Sequence, residues 1–196
     1  MNSTLTTIQH ACTAQARFDS PLGPLRLART PRGLAGAWFE GQRHHPGELS
    51  APELPRDALL LDAAAQLQRY FAGESMRFML PLDLLGTAFQ RRVWQALLTI
   101  DAGRTLRYGD IAARIGVPSA ARAVGAAVGR NPVSVIVPCH RVLGAGGALT
   151  GYAGGLDRKV ALLDLERAAA PPRAGTAAAP QRPAAQATLA GFESLA

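Results

Sequence analysis

Residues 15–40 alternate between apolar and polar positions in short runs that turn residues separate. Ala16-Arg17-Phe18 and Leu25-Arg26-Leu27-Ala28 are two such runs, and turn-forming Pro and Gly lie in residues 20–24 and 30–33. Period-two alternation between turns of this kind is typical of β-hairpins. We therefore predict hairpins over residues 15–40, followed by a loop over residues 41–55.

The next apolar residues recur at helical spacing. Leu60, Ala64, Leu67 and Phe71 fall on one face of a helix predicted over residues 57–71, and Gly73 ends it. Residues 78–82 form a short strand or an extended linker. The first segment, residues 1–86, therefore has β-then-α character.

The second segment, residues 87–166, is predicted to be mostly helical. Thr87 and Gln90 form a capping box at the start of its first helix. The apolar face of that helix consists of Phe89, Val93, Trp94 and Leu97. Two short helices follow, over residues 108–115 and 119–128, with Ser119 as the N-cap of the second. A tight turn with Gly116 between them gives a helix-turn-helix pattern, which many helical domains contain without touching DNA.

The remaining elements are an apolar strand, a loop and a last helix. Residues 133–137 are all apolar except Ser134 and are predicted to form a buried strand. Residues 143–149, with three glycines, form a hairpin-like loop, and residues 156–167 form the final helix.

Composition changes at residue 167, where Ala, Pro, Arg and Gln become dominant, and this favours a disordered tail over residues 167–196. We therefore divide the chain into three segments, residues 1–86, 87–166 and 167–196. Within the tail, residues 186–192 have the Gln-x-x-Leu-x-x-Phe spacing of sliding-clamp-binding peptides. The pattern is short and common by chance, so an inert tail is the alternative.

Positive charge is concentrated in the second segment. The whole chain has a net charge of +7, and residues 87–166 contain nine Arg, one Lys and five acidic residues. A basic segment suits a nucleic-acid partner, although ordinary solubility explains it as well. No apolar run approaches the ~20 residues of a membrane span. The N-terminus lacks the pattern of a signal peptide, so we expect a cytoplasmic protein with two reduced cysteines.

Cys139 is the main candidate for chemistry. His140 and Arg141 beside it favour a thiolate and so predict a lowered thiol pKa. The alternative is an unreactive core thiol. Adjacent residues of a straight strand point to opposite faces, so Cys139 and His140 meet only if the backbone bends. Glu166 lies near the apolar face of the final helix, where it either binds an imidazole or remains solvated.

The helix over residues 119–128 is the second candidate. Apart from Arg122 and two valines its side chains are very small. Small residues allow a helix to approach a nucleic-acid groove closely, with Arg122 filling the gap left by a displaced base or binding a phosphate. The alternative is a tightly packed core helix whose single Arg extends to solvent.

Taken together, these motifs resemble the O6-alkylguanine-DNA alkyltransferases over about residues 15–166. The motifs, in chain order, are Gly86-Thr87-Ala88-Phe89-Gln90, Val93-Trp94, Arg107-Tyr108-Gly109, Ala121-Arg122-Ala123-Val124-Gly125, Asn131-Pro132, Val137-Pro138-Cys139-His140-Arg141-Val142 and Gly151-Tyr152-Ala153-Gly154-Gly155. The resemblance implies an α/β fold. It consists of a small N-terminal ribonuclease-H-like domain and a C-terminal, mostly helical, winged-helix-like DNA-binding domain.

The resemblance also implies a function, direct-reversal DNA repair. The protein would flip an O6-alkylated guanine out of the duplex and transfer the alkyl group to Cys139, once per molecule. Activity on O4-alkylthymine is left open. No cofactor is implied. The expected partner is double-stranded DNA carrying the lesion, and the expected state is a monomer.

The resemblance assigns roles to individual residues. Cys139 would be activated through His140 and a water, with Glu166 orienting the imidazole and Asn131 bracing the turn. Tyr108 would lie by the target phosphate and the flipped base, and would either rotate the nucleotide or donate a proton to guanine O6. The residues expected to bind DNA are Arg122, Tyr108, Arg130, Ala121 and Gly125. Those expected to line the guanine pocket are Val142, Tyr152, Ala153 and Gly154.

Some positions depart from the family pattern. Ala145 and Ala153 replace polar residues of many members, so contacts there would come from backbone amides. Ala161 stands where many have Trp. Cys12 lacks the partners of a structural zinc site, so we predict no metal. Two other functions stay open: a non-catalytic lesion-binding protein, which would lack the acceptor cysteine, and a thiol hydrolase using Cys139 and His140.

Overall fold

The structure is a computed structural model that describes residues 3–169. Its helices are α1 Ser3–Ala11, α2 Ala58–Phe71, α3 Ala88–Leu97, α4 Tyr108–Arg114, α5 Ala121–Gly129 and α6 Leu156–Ala169. Its strands are β1 Ala14–Ser20, β2 Gly23–Thr30, β3 Gly33–Phe39, β4 Leu106–Arg107 and β5 Val142–Leu143. The predicted class is confirmed: an N-terminal sheet region precedes a helical C-terminal region. No helix in the described part is long and apolar enough to cross a membrane. The clamp-like pattern at 186–192 lies outside the described residues.

The N-terminal region is an antiparallel sheet in the order β1-β2-β3 with α2 packed on it. The predicted hairpins are therefore confirmed, and residues 41–55 lie outside the helices and strands, as expected. Asp57 begins α2, because its carboxylate accepts hydrogen bonds from the backbone N–H groups of Leu59 and Leu60. Helix α1 was not predicted; its Ile8 packs with Cys12 and Trp38 in a small cluster of its own.

The buried face of α2 is rotated from the predicted one. Leu60, Ala63, Leu67 and Tyr70 are buried, whereas Ala64 and Phe71 are only partly buried. A tyrosine can take a core position when its hydroxyl finds a buried partner, and Tyr70 has one in the second segment. The helix therefore directs a polar group, as well as apolar surface, toward the rest of the chain.

The helical region begins with α3, whose predicted capping box between Thr87 and Gln90 is present. Trp94 of α3 donates its indole N–H to the carbonyl of Ala127 in α5 at 2.9 Å. Helices α4 and α5 form the predicted helix-turn-helix pair. The predicted N-cap Ser119 is wrong: it lies inside a 3₁₀ turn, Pro118–Ala120, and α5 starts at Ala121 without a side-chain cap. Pro118 at the first position of that turn has a fixed φ and no N–H, which suits the start of a helical turn.

The predicted strand over residues 133–137 is also wrong. Only Val133 forms a bridge, a parallel one with Ala37 on the outer edge of β3. The chain then turns on itself: the N–H of Ile136 donates to the carbonyl of Ser134, and that of Val137 to the carbonyl of Val133, both at 2.9 Å. The apolar run is buried between the two regions on all sides, so its hydrophobicity reflects burial and not a strand.

The two regions share one hydrophobic core, which reaches from Leu25 and Leu27 of the sheet to Trp94 and Cys139. Two further contacts join them. The Arg158 guanidinium of α6 donates to the carbonyl of Leu22 at 2.8 Å and lies 4.6 Å from the ring centre of Phe39. The N-terminal sheet thus supports the chain that leads into Cys139. The domain boundaries expected from the sequence stay a prediction.

Candidate active site

A bend in the backbone places Cys139 at the start of a short helical turn. Pro138 has φ −82° and ψ 62°, and the N–H of Cys139 donates to the carbonyl of Val137 at 2.8 Å. Cys139–Arg141 then forms a 3₁₀ turn. Cys139 and His140 therefore lie in one helical turn, both buried, and the alternation of a straight strand does not apply to them.

Asn131, just after α5, holds this bend with its side-chain amide. Its Nδ2 donates to the carbonyl of Val137 at 2.8 Å and to Sγ of Cys139 at 3.1 Å. Its Oδ1 accepts the N–H of Val133 at 3.0 Å. One buried side chain therefore satisfies the backbone of the turn and also contacts the thiol, which is the position expected for it.

His140 is held by Glu166. Its Nε2 lies 2.8 Å from Oε1 of Glu166, and neither side chain is exposed to solvent. Because a carboxylate only accepts hydrogen bonds, we assign the proton to Nε2, which leaves Nδ1 as an acceptor. Among the described residues, Nδ1 has no hydrogen-bond partner. Burial lowers the pKa of His140 more than the nearby Glu166 raises it, so the imidazole is neutral.

The Glu166 carboxylate accepts hydrogen bonds from three parts of the chain. Tyr70 of α2 donates to Oε1 at 2.8 Å, and the N–H of Gly103 donates to Oε2 at 3.1 Å. Arg141 binds the same carboxylate through Nη2 at 2.7 Å and through Nε. Burial opposes ionisation, but the hydrogen bonds and charges of His140 and Arg141 outweigh it and lower the pKa of Glu166 to about 2.

The expected lowering of the Cys139 pKa is wrong. Burial raises the pKa of the thiol to about 11, although the hydrogen bond from Asn131 and the charge of Lys159 favour the thiolate. Arg141 does not act on the thiol as the sequence suggested, since its guanidinium is bound to Glu166 and to the carbonyl of Ile100. Cys139 is therefore a thiol at neutral pH.

Sequence reasoning missed the part of Lys159 in this site. It is fully buried, and its Nζ donates to the carbonyls of Val142 at 2.6 Å and Thr150 at 2.8 Å. Its position seven residues before Glu166, on the same face of α6, is a signal that the sequence does contain. The ammonium group ties α6 to both ends of the 142–150 loop.

Two residues expected around a substrate, Val142 and Tyr152, belong to the same hydrophobic core as Cys139, and Tyr108 packs against that core. Tyr108 is partly buried, and its hydroxyl lies 3.2 Å from the carbonyl of Thr150. Burial raises the pKa of Tyr108 and that of Tyr152, and the charge of an ionised Cys139 would raise both further. Val142 and Gly154 are buried and Ala153 is partly buried. A Cβ on Gly154 would stand 2.7 Å from the Tyr152 ring, so only glycine fits there.

Helix α5 presents its small side chains to solvent. Val124, Ala127 and Val128 are buried, whereas Arg122, Ala123, Ala126 and Arg130 are exposed and Ala121 and Gly125 are partly exposed. The alternative of a helix packed on all sides is therefore wrong. An open, largely apolar groove runs between α4 and α5. Its lining includes Tyr108, Ala121, Arg122, Gly125 and Ala145. Across residues 3–169, no three His, Cys, Asp or Glu side chains cluster as a metal site would require.

Two family models match the chain. One is described as 6-O-methylguanine DNA methyltransferase, ribonuclease-like domain, and matches residues 15–84. The other is described as 6-O-methylguanine DNA methyltransferase, DNA binding domain, and matches residues 88–168. Together they include every element from β1 to α6.

Curated relatives agree with these matches. The methylated-DNA–protein-cysteine methyltransferase of Mycobacterium leprae is 52% identical over 150 residues, which cover 76% of this chain and 90% of the relative. A protein of the same name from Methanosarcina acetivorans is 47% identical over 154 residues, covering 77% of this chain and 96% of the relative.

Solved structures agree as well. The crystal structure of Mycobacterium tuberculosis O6-methylguanine methyltransferase is 50% identical with a TM-score of 0.74, and that of Mycobacterium tuberculosis OGT in complex with DNA is 49% identical with a TM-score of 0.76. Each alignment covers 82% of this chain and 96% of the other. With a buried cysteine beside a glutamate-held histidine, and with both domain models matched in order, the chain belongs to the 6-O-methylguanine DNA methyltransferase family.

Proposed function

We propose that this protein repairs DNA by direct reversal, taking the alkyl group of O6-alkylguanine onto Cys139 and keeping it there. One observation carries the proposal. The buried Cys139 thiol, held by Asn131, shares a three-residue turn with His140. Nε2 of His140 is fixed by Glu166, and its Nδ1 has no hydrogen-bond partner within residues 3–169. This is the arrangement of a nucleophile, a base and a group that orients the base.

Deprotonation of Cys139 accompanies the transfer, because a thiol with a pKa of about 11 is protonated at neutral pH. The thiol proton passes through a water to Nδ1 of His140, and Glu166 stabilises the imidazolium. Sulfur attacks the alkyl carbon, the S–C bond forms, and the C–O bond breaks with its electrons passing to guanine O6. The Tyr108 hydroxyl donates a hydrogen bond to that oxygen, and the guanine anion takes a proton from water to become guanine. The His140 imidazolium gives the former thiol proton back to water, so the protein ends with a thioether and a neutral imidazole.

The product explains why each molecule acts once. The thioether formed on Cys139 is stable, because neither water nor the buried imidazole displaces the sulfur from the alkyl carbon. No residue of the site regenerates the thiol, so the protein is consumed in proportion to the lesions that it repairs.

DNA reaches the thiol from the side of α5. A relative of 49% identity is named as a complex with DNA, and in this chain the exposed face of α5 is made of small residues with Arg122 and Arg130. Arg122 fills the place of the flipped base, and Arg130, Ala121 and Gly125 lie against the backbone. Val142, Tyr152, Ala153 and Gly154 line the guanine pocket. A monomer acting in the cytoplasm, and domains divided at residue 86, stay predictions from the sequence.

The test is the intact mass of the protein after incubation with a duplex carrying O6-methylguanine. We expect one added methyl group per molecule, on the peptide that contains Cys139, and no further turnover. Cys139→Ser should gain no mass, whereas Cys12→Ala, which removes the other buried thiol, should react fully.

Two results would contradict this proposal. Repeated turnover by one molecule would favour a thiol hydrolase. Retained binding of the lesion without any mass gain would favour a non-catalytic lesion-binding protein, which the presence of Cys139 in this site argues against.

A further inference from the structure

Tyr70 connects the N-terminal region to the candidate active site. It lies in α2, is fully buried, and donates its hydroxyl to Oε1 of Glu166 at 2.8 Å across 96 positions of sequence. The same Oε1 lies 2.8 Å from Nε2 of His140. Tyr70 is therefore connected to the imidazole by two hydrogen bonds that share Oε1 of Glu166, although it belongs to the other region of the chain.

The direction of this hydrogen bond is fixed. Glu166 is ionised and can only accept, since its pKa is about 2. Burial and the adjacent Glu166 raise the pKa of Tyr70, so the phenol keeps its proton. Tyr70 is thus a donor to Glu166 at neutral pH.

We propose that Tyr70 is a positioning residue for alkyl transfer, which holds the Glu166 carboxylate against His140 and limits how strongly that carboxylate favours the imidazolium. This inference rests on the proposed function, because it assigns a part in the same reaction to a residue outside the helical region.

The geometry at Oε1 explains both effects. The oxygen receives Tyr70, His140 and Arg141 together, so its lone pairs are shared among three donors. Without the phenol, less of the carboxylate charge is neutralised and more of it acts on His140. The pKa of His140 then rises, and the fraction of neutral base at a given pH falls. A less constrained carboxylate also holds the ring less firmly.

Among the described residues, several charged or titratable groups face His140 from the elements packed against it. They come from its own turn, from α6 and from α2, and they are Cys139, Arg141, Lys159, Glu166 and Tyr70 itself. Of these, only Tyr70 is altered in the test, so a change in the titration of His140 is attributable to it.

The contribution of the Tyr70 ring to packing can be separated experimentally from that of its hydroxyl group. The ring lies 5.4 Å from that of Phe71 and 5.3 Å from that of Phe78, between centroids. Tyr70→Phe keeps these contacts and removes only the donor. Phe78→Leu weakens the ring contact and leaves the donor, so it is the matched control for loss of packing.

The experiment measures the single-turnover rate of methyl transfer from an O6-methylguanine duplex to the full-length protein, from about pH 5 to pH 9. For Tyr70→Phe we expect a plateau rate about tenfold lower, the loss of roughly one hydrogen bond to a charged group. The acid limb of the pH–rate profile is the range in which the rate falls as His140 becomes protonated, and we expect it to move to higher pH. The His140 imidazole NMR signals of the unreacted protein should also show a raised pKa. Phe78→Leu should lower the melting temperature and leave the acid limb where it is.

Several outcomes overturn the inference. An unchanged plateau and acid limb in Tyr70→Phe would do so, and so would a slower rate with an unmoved limb and an unmoved His140 pKa. A Tyr70→Phe protein that no longer folds would assign the hydroxyl to stability alone. If the unaltered protein takes up no methyl group, the proposed function itself fails, and that result is visible before any variant is compared.

Discussion

Cys139 differs from cysteines that are kept as thiolates by a helix N-terminus or by adjacent cations. Its neighbours Asn131 and Lys159 favour ionisation, but burial dominates and the pKa rises to about 11. The Cys139 sulfur is therefore positioned for the reaction, but in the resting protein it is protonated and unreactive. Its reactivity depends on transfer of a proton to His140 when a substrate is present, and not on a resting charge.

Individual residues of the site could be predicted from the sequence where a motif contains them or, for Glu166, where the apolar face of the last helix and the family resemblance indicate them. Cys139, His140, Asn131 and Glu166 were named from the sequence, and the structure brings them together. Tyr70 was missed because its partner is 96 positions away and its helix seemed to bury Phe71 instead. Local spacing indicates which face of a helix is apolar, but it does not indicate which distant polar group that face meets.

Glu166→Gln tests the charge of the buried carboxylate. At neutral pH we expect a loss of about 3–5 kcal/mol in the free energy of unfolding, because Arg141 stays buried without its anion. The folded pKa of about 2 lies below the unfolded value of ~4.3, so the stabilisation is present above pH ~4.3 and is lost as the pH falls toward 2. In urea unfolding, the difference in free energy of unfolding between Glu166→Gln and the unaltered protein should therefore become smaller as the pH falls from ~4.3 toward 2.

The control is Asp164→Asn, an exposed carboxylate on the same helix that pairs with Arg167. Its effect should stay within about 0.5 kcal/mol at every pH, as for most surface changes. A deficit for Glu166→Gln that is as large at pH 2.5 as at pH 7 would show that the carboxylate is not stabilising as an anion.

Among the elements, the turn before Cys139 shows where a hydrophobic pattern misleads. Hairpins β1–β3 and helices α2, α3, α4 and α6 followed from local periodicity and capping. The strand predicted over residues 133–137 did not form, because Asn131 binds the backbone of this stretch and Val135 takes a φ of +70°. That conformation is unusual for a β-branched residue and costs about 1–3 kcal/mol, which the surrounding core compensates.

Helix α5 permits a test of close approach to DNA. Ala126 is exposed and contributes no packing, so Ala126→Leu should change the free energy of unfolding by less than about 0.5 kcal/mol. The larger side chain stands on the face that is proposed to meet the duplex, and we expect it to weaken binding by about tenfold or more. Fluorescence anisotropy with a labelled duplex measures the affinity.

Ala113→Leu is the matched control, since Ala113 is also exposed but belongs to α4 and not to the exposed face of α5. It should leave duplex affinity unchanged. Equal affinities for the Ala126→Leu variant and the unaltered protein would mean that α5 does not face the DNA.

At the scale of the whole molecule, the hydrophobic core extends over both regions, whereas the positive charge is distributed unevenly along the chain. One core joins both regions, but the excess of positive charge belongs to residues 87–166 and to the tail that follows them, whereas residues 1–86 contain as many acidic residues as arginines. Composition predicted this asymmetry without any structure. The way in which β3 supports the active-site turn through Ala37 depends on contacts across the chain, and no local pattern contains it.

The salt dependence of duplex binding tests this uneven distribution of charge. Each phosphate contact contributes about 0.9 to the slope of log K against log salt concentration. Arg130→Gln should therefore reduce the magnitude of the slope by about 1. Arg69→Gln, an exposed change on α2, should leave it unaltered. Equal slopes for Arg130→Gln and the unaltered protein would exclude Arg130 from phosphate contact.

The small residues of α5 have a last consequence, which concerns conformational entropy. Alanine and glycine have almost no rotamer freedom to lose when a partner covers them, whereas a long side chain loses up to about 2 kcal/mol. Of the exposed positions on this helix and its C-cap, only Arg122 and Arg130 carry long side chains. The face is thus almost fully ordered before DNA arrives, and more of the binding energy remains to extract a base from the stack.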